Sequence, residues 1–112
     1  THKYEVGIYS KIRGVPGLDA HHIGQKAVMK SFIPNYDPET APAILVPKVG
    51  HTIMGSTGIL SRSTQSINNI RQLLARDISE LRRVYPDIPN SQLQKLIDLN
   101  RKKYPQIGDG KL

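Results

Sequence analysis

The run Gly17-Leu18-Asp19-Ala20-His21-His22-Ile23 decides the predicted fold, together with a later run, Pro47-Lys48-Val49-Gly50-His51-Thr52. Three of the chain's four histidines lie in these two runs. Both runs adjoin glycine and proline, residues that favour turns in which side chains are presented rather than buried. Two adjacent imidazoles and a distant third are compatible with a hydrolytic site, because one imidazole can ligate a metal ion while its neighbour takes a proton from water.

The composition limits the classes of protein to consider. A chain of 112 residues is expected to form one domain, and 38% hydrophobic residues with one Phe and no Trp predict a modest core of Ile, Leu and Val. There is no cysteine, which excludes a disulfide framework, a thiolate nucleophile and a cysteine-ligated zinc. A metal ion would therefore be held by imidazole, carboxylate, amide, hydroxyl or water.

The charge points to a polyanionic partner. The formal net charge is +7 and the pI is about 9.9, which favours nucleic acid first and an anionic membrane surface second. The alternative is an ordinary solvated surface that happens to be basic. No apolar run approaches the roughly 20 residues of a transmembrane helix. The chain starts at Thr1 without a signal peptide, so we expect it to be a piece of a longer protein.

Four segments of the first half have recognisable patterns. Alternating apolar residues over 4–12 predict a strand, and 18–23 are predicted to form a second short strand or extended arm that places the histidine pair at a hairpin edge. Helical spacing over 25–32 predicts a helix, which Pro34 stops. The continuous apolar run at 43–46 predicts a short buried strand.

The second half is predicted to be helical. An amphipathic pattern follows Ser63 or Thr64, either of which is a natural N-cap, and Pro86 ends the first helix. A capping-box pattern at Ser91 opens a second helix, which ends before Pro105. The predicted fold class is therefore α+β: a small strand-and-loop region that holds the histidines, backed by two C-terminal helices over 63–104, in a single domain of residues 1–112.

The histidine run resembles a known signature. Leu18-Asp19-Ala20-His21-His22 resembles the Ala-His-His (AHH) motif of toxin nucleases in the HNH/endonuclease VII superfamily, which share a ββα-metal, or treble-clef, finger. Residues 44–51 resemble that family's apolar strand, proline and histidine. The resemblance covers roughly residues 14–55, about one finger, and implies a finger with short strands.

The resemblance assigns roles by position. His22 would be the general base that activates the attacking water, while His21 and His51 would ligate one divalent metal ion beside the scissile phosphate. Asp19 would be a supporting carboxylate that holds an imidazole tautomer. The expected cofactor is Mg²⁺, Mn²⁺ or Zn²⁺.

The sequence departs from the family pattern in two places. The family's asparagine would fall near Pro42, where there is none. A residue of the preceding loop could take its role, and the candidates are Asn35, Asp37, Glu39 and Thr40. The family's later histidine is also absent, because Gly55 occupies its place. Fewer imidazoles make a hydrated Mg²⁺ or Mn²⁺ at least as compatible as Zn²⁺.

Basic side chains divide into two groups. Lys26, Lys30 and Lys48 lie close to the histidines in sequence and are the candidate nucleic-acid contacts. The remaining cations are mostly assigned to the solvated faces of the two C-terminal helices: Arg71, Arg76, Arg82, Arg83, Lys95, Arg101, Lys102 and Lys103.

Together these features predict a metal-dependent, non-specific DNA endonuclease. The resemblance further implies the C-terminal toxin domain of a larger secreted or injected protein of bacterial competition, restrained by a cognate immunity protein and acting in the target-cell cytoplasm. The alternatives are an RNase of the same fold and a non-catalytic basic module that binds nucleic acid.

Overall fold

The computed structural model describes residues 3–24, 26–53, 58, 60 and 67–107. The described chain is an α+β fold with a three-stranded antiparallel sheet, as predicted. The elements in order are β1 (Val6–Ile8), α1 (Tyr9–Ile12), β2 (Leu18–His22), α2 (Lys26–Phe32), β3 (Pro42–Pro47), α3 (Ile70–Val84), α4 (Asn90–Lys103) and a 3₁₀ turn (Pro105–Ile107). No helix in this part of the chain is long and apolar enough to cross a membrane.

Strand β3 is the centre of the sheet, whose order is β1-β3-β2. Residues 42–46 are buried, which confirms the strand predicted from the continuous apolar run and explains why the run does not alternate. Strand β2 pairs with β3, the strand that follows it in the chain after α2, and does not form a hairpin with β1. In this pairing His21 lies opposite Ile44 and His22 lies opposite Ala43. The histidine pair therefore lies on an edge strand, as predicted, but in a different pairing.

The two faces of β3 pack against different clusters. Ile44 and Val46 belong to the main core with α3 and α4, whereas Ala43 and Leu45 pack with Ile12 of α1. Directly opposed residues of antiparallel strands share a face. Asp19 and His21 therefore lie on the α3 side of the sheet, and Leu18, Ala20 and His22 lie on the α1 side.

The predicted strand over 4–12 is wrong in its second half. Strand β1 stops at Ile8, opposite Pro42, where β3 begins. Beyond that point there is no partner strand, and the chain turns into α1, with the amides of Tyr9 and Ser10 donating to the carbonyls of Ala41 and Glu39. An alternating pattern signals extended backbone but says nothing about where the partner strand begins.

The helix starts also differ from the predictions. Helix α3 begins at Ile70, and its N-cap is Asn69, whose side chain accepts from the amide of Gln72. The proposed caps Ser63 and Thr64 lie outside the described residues, but 67–69 are described and are not helical. Helix α4 begins at Asn90 after Pro89, with no side-chain cap, so the capping box is wrong.

The helix ends follow the proline signals. Helix α3 stops at Val84, two residues before Pro86, and α4 stops at Lys103, two residues before Pro105. Helix α2 ends at Phe32, before Pro34. The predicted start of α2 at Gln25 lies outside the described residues, as does Gly55.

Candidate active site

His22 is held on both its ring face and its ring edge. Its Nε2 lies 2.7 Å from the carbonyl oxygen of Pro38, and Tyr9 stacks on the imidazole with ring centroids 4.4 Å apart. A carbonyl only accepts hydrogen bonds, so Nε2 carries the proton and Nδ1 carries the lone pair. Burial lowers the pKa of His22, and the charge of Lys26 acts in the same direction against the Pro38 bond. His22 is therefore a neutral imidazole at pH 7, able to accept a proton.

His51 is part of a network centred on Asp19. Its Nδ1 lies 2.9 Å from Asp19 Oδ2, which also accepts from the Thr52 hydroxyl at 2.9 Å, while Lys48 Nζ lies 2.8 Å from Asp19 Oδ1. Asp19 thereby fixes the turn after β3 to strand β2. Because the carboxylate accepts, the proton of a neutral His51 sits on Nδ1, which leaves the lone pair on Nε2.

Asp19 stays ionised at low pH. Burial acts to raise its pKa, but hydrogen bonds from Lys48, His51 and Thr52 outweigh burial and lower the pKa to about 2. The carboxylate is therefore a fixed negative charge beside His51 throughout the range in which imidazoles titrate.

His21 meets His51 on the α3 side of the sheet. Their ring centroids are 4.9 Å apart and the planes are inclined by 73°, an edge-to-face contact. The adjacent His22 points to the opposite side of β2, as the period of two in a strand requires. The structure thus brings together His21, His51 and Asp19 as one group, with His22 as a separate imidazole.

A cavity of about 360 Å³ lies around the outer edge of β2, and all three histidines line it. Among the described strands none pairs with this edge. Residues from both faces of β2 can therefore reach one cavity. The other side chains in the lining include Tyr9 of α1, Lys26 of α2, Glu39, and Arg76, Asp77 and Glu80 of α3. The volume lies in the range of small-molecule sites.

The metal ligand set is incomplete in the described residues. No group of three or more histidine, aspartate or glutamate side chains is arranged there to hold a metal ion. His21 and His51 present two neighbouring imidazoles, and the adjacent carboxylate of Asp19 is already bonded to Lys48, His51 and Thr52. A catalytic zinc normally takes three protein ligands. These residues alone do not complete a metal site, and the metal ion stays a prediction from the resemblance.

The four candidates for the role of the family's asparagine lie in different parts of the structure. Asn35, Asp37 and Thr40 line a second cavity of about 300 Å³ beside Tyr104 and do not line the histidine cavity. Asp37 Oδ1 accepts from the amide of Glu39 at 3.0 Å, a turn-forming bond. Of the four candidates only Glu39 reaches the histidines.

The candidate phosphate contacts also differ from one another. Lys26 is exposed and lines the histidine cavity, and Lys30 is exposed one helical turn further along α2. Lys48 is about half exposed and forms an ion pair with Asp19. Lys26 and Lys30 are therefore better placed than Lys48 for a polyanion. His2 lies outside the described residues.

Sequence reasoning missed three charged residues of α3 that line the cavity: Arg76, Asp77 and Glu80. Arg76 was assigned to a solvated helix face. The sequence does contain a signal for Asp77. This residue lies four positions after Leu73 and four before Leu81, on the apolar stripe that α3 buries. A carboxylate at a core position of an amphipathic helix indicates a buried polar contact.

Comparisons of the chain with protein-family models, with curated proteins and with solved structures found no match. The nuclease resemblance therefore stays a prediction from the sequence. Any function assigned to the domain depends on that resemblance, on the charge, and on the geometry of the histidine cavity.

Asp19→Asn should destabilise the domain in a pH-dependent way. The native pKa of about 2 lies below the ordinary 3.8, so ionised Asp19 stabilises the fold above pH 4, and this contribution is lost as pH falls toward 2. We expect a loss of about 2 kcal/mol at pH 7, from about 1.4 kcal/mol for each unit of pKa. Urea unfolding of both proteins at pH 7 and pH 2.5 measures it. An equal difference at the two pH values would contradict the Asp19 network.

Proposed function

We propose that this domain is a nuclease that cleaves phosphodiester bonds of nucleic acid, with His22 as the general base. The observation that carries the proposal is the Nε2 bond to the Pro38 carbonyl, because it leaves the lone pair of a neutral imidazole on Nδ1 in a cavity-lining side chain. A water molecule gives its proton to Nδ1 as its oxygen attacks phosphorus. The P–O bond to the leaving oxygen then breaks, and that oxygen takes a proton from solvent.

Charge supports a nucleic-acid substrate. The chain carries a net charge of +7, and Lys26 lies at the cavity with Lys30 beside it on the same exposed face of α2. Lysines on a surface bind phosphates without reading base edges, so such a domain is expected to bind non-specifically.

The finer proposal comes from the resemblance. In this proposal the domain is a metal-dependent, non-specific DNA endonuclease that forms the C-terminal toxin domain of a larger protein and is restrained by an immunity protein. Bound beside the phosphate, a divalent ion would act as a Lewis acid. His21 and His51 would supply imidazoles to it, and Asp19 would support His51. An RNase of the same fold and a binding module without catalysis are the alternatives.

Cleavage assays test the proposal. Supercoiled plasmid and a single-stranded RNA are incubated with the purified domain in Mg²⁺, Mn²⁺ or Zn²⁺, and in EDTA. We expect nicked and linear plasmid with at least one metal ion and none in EDTA. Cleavage of the RNA while the plasmid stays intact would favour the RNase alternative over the DNase. Binding of both nucleic acids without cleavage in any condition would overturn the nuclease and favour the binding module.

His21→Ala and His51→Ala should each weaken divalent metal binding, because each would remove one of the two imidazoles that meet on the α3 side of the sheet. Loss of a ligand is expected to reduce affinity by at least the roughly 10- to 100-fold typical of outer-shell changes. Isothermal calorimetry with Mn²⁺ and Zn²⁺ measures the affinities, and His22→Ala is the histidine control. Unchanged affinity in both variants would place the metal elsewhere.

Binding to duplex DNA should depend on salt and hardly on sequence. For about four phosphate contacts, the slope of log affinity against log salt is expected near roughly −3.6. Lys26→Ala with Lys30→Ala should flatten the slope, whereas Lys95→Ala with Lys102→Ala on α4 removes the same charge and should change it less. Catalytically inactive protein is titrated with two unrelated duplexes over a salt series. Strong preference for one duplex, or a flat response to salt, contradicts non-specific phosphate binding.

A further inference from the structure

Arg76 is the arginine of α3 that lines the histidine cavity. Its side chain is 20% exposed, and its Nε donates to Asp77 Oδ1 at 2.6 Å. The bond at Nε fixes the plane of the guanidinium. An arginine held in this way has lost rotamer freedom before any ligand arrives, which lowers the entropic cost of binding a ligand.

Asp77 is anchored in turn to the histidine strand. Its second oxygen, Oδ2, accepts from the amide of Gly24 at 2.6 Å, two residues after His22. Its side chain is only 8% exposed, and burial raises its pKa although Gly24 and Arg76 act against that rise. A buried carboxylate costs free energy unless its bonds are well made. Here one carboxylate joins the end of β2 to the guanidinium on α3.

The other carboxylates of the cavity have arginine partners of their own. Glu80 forms a two-pronged ion pair with Arg83, at 2.8 and 2.7 Å, and Glu39 lies 3.5 Å from Arg13. Their charges are therefore partly neutralised by cations outside the cavity lining. Lys26 and Arg76 also line the cavity, so two cations are available there to an anionic group such as a phosphate.

We propose that Arg76 binds the scissile phosphate in the histidine cavity, and that Asp77 is the positioning residue that orients its guanidinium. The inference rests on the proposed function, which it deepens by naming the group that neutralises the phosphate. Negative charge grows on the non-bridging oxygens as the attacking oxygen bonds to phosphorus, and a fixed guanidinium stabilises that charge. His22 takes the proton, and Arg76 changes no bond.

The test compares Arg76→Ala with Arg82→Ala, a matched loss of one positive charge from the exposed part of the same helix. We expect kcat to fall roughly 100- to 1,000-fold in Arg76→Ala, as for loss of one charge-stabilising donor, and less than about twofold in Arg82→Ala. Arg76→Lys keeps the charge and the aliphatic stem. It should stay at least about tenfold impaired, because lysine lacks the planar fork.

Asp77→Asn tests the positioning role. Asparagine keeps one oxygen for the Gly24 amide but can no longer accept a charge-assisted bond from Arg76 as well, so the melting temperature should fall while the domain stays folded. We expect kcat to drop about tenfold or more with little change in KM. A folded variant with unchanged kcat, or one in which KM rises while kcat does not change, would overturn the positioning role.

Inorganic phosphate gives a readout independent of cleavage. In ¹⁵N NMR of the wild-type domain, phosphate should shift the Arg76 Nε–H resonance, and phosphate affinity should be lost in Arg76→Ala but not in Arg82→Ala. If phosphate binds in this way and no nucleic acid is cleaved, the nuclease fails and the phosphate site stands. If nucleic acid is cleaved equally by Arg76→Ala and Arg82→Ala, or phosphate leaves Arg76 unperturbed, the inference is overturned.

Discussion

We expect His22→Ala to lower the rate of phosphodiester cleavage by roughly 100- to 10,000-fold while the domain stays folded, because loss of a positioned general base has an effect of this size. His22 lies on the α1 side of an edge strand, where truncation removes a stack on Tyr9 and one bond to the Pro38 carbonyl. Initial rates on plasmid and on a short labelled oligonucleotide measure the change.

The dependence of the cleavage rate on pH tests the role of His22 in catalysis separately from its role in folding. The lowered pKa of His22 predicts that cleavage rises with pH through a midpoint below that of an ordinary histidine and then levels off. His2→Ala is the matched control, because it removes a histidine that lies far from the motif in sequence. A folded His22→Ala protein that cleaves at the wild-type rate would remove His22 from this role.

A large loss of stability is expected from substitution at the bend that follows the histidine pair. Gly24 has φ +91°, and a Cβ there would lie 2.7 Å from Met29 Sδ and 3.0 Å from Leu74 Cδ2. Gly24→Ala therefore combines left-handed backbone strain of about 1–2 kcal/mol with crowding of about 1–3 kcal/mol. We expect a total loss of about 2–5 kcal/mol in the free energy of unfolding.

Gly14→Ala isolates the steric part of that loss. Gly14 has φ +94°, but a Cβ there would meet no atom within 4 Å, so this variant should lose only the backbone contribution of about 1–2 kcal/mol. Chemical unfolding of the two variants side by side measures the difference. Equal losses would mean that Met29 and Leu74 move aside at no cost, and that the bend is less constrained than its contacts indicate.

Local patterns accounted for much of the secondary structure. The run at 43–46 has no polar residue, so it identified the central strand, and three prolines placed the ends of α2, α3 and α4. These signals work because a helix or strand is decided by neighbouring residues and by the missing amide of proline. Helix α1 was predicted as a continuation of strand β1, because the boundary between them depends on where β3 begins, more than thirty residues later.

The candidate active site was likewise predicted only in part from the sequence. The sequence by itself determined that His21 and His22, adjacent in a strand, point to opposite faces, and that three imidazoles lie near glycine-rich turns. Only the tertiary structure decided that β2 is an edge strand, so that both faces reach one cavity, and that Asp19 meets His51 across 32 residues. It also brought Arg76 and Asp77 to the histidines. Periodicity specifies which face of an element is buried, whereas strand order and helix docking are set by packing between distant segments, which no local pattern records.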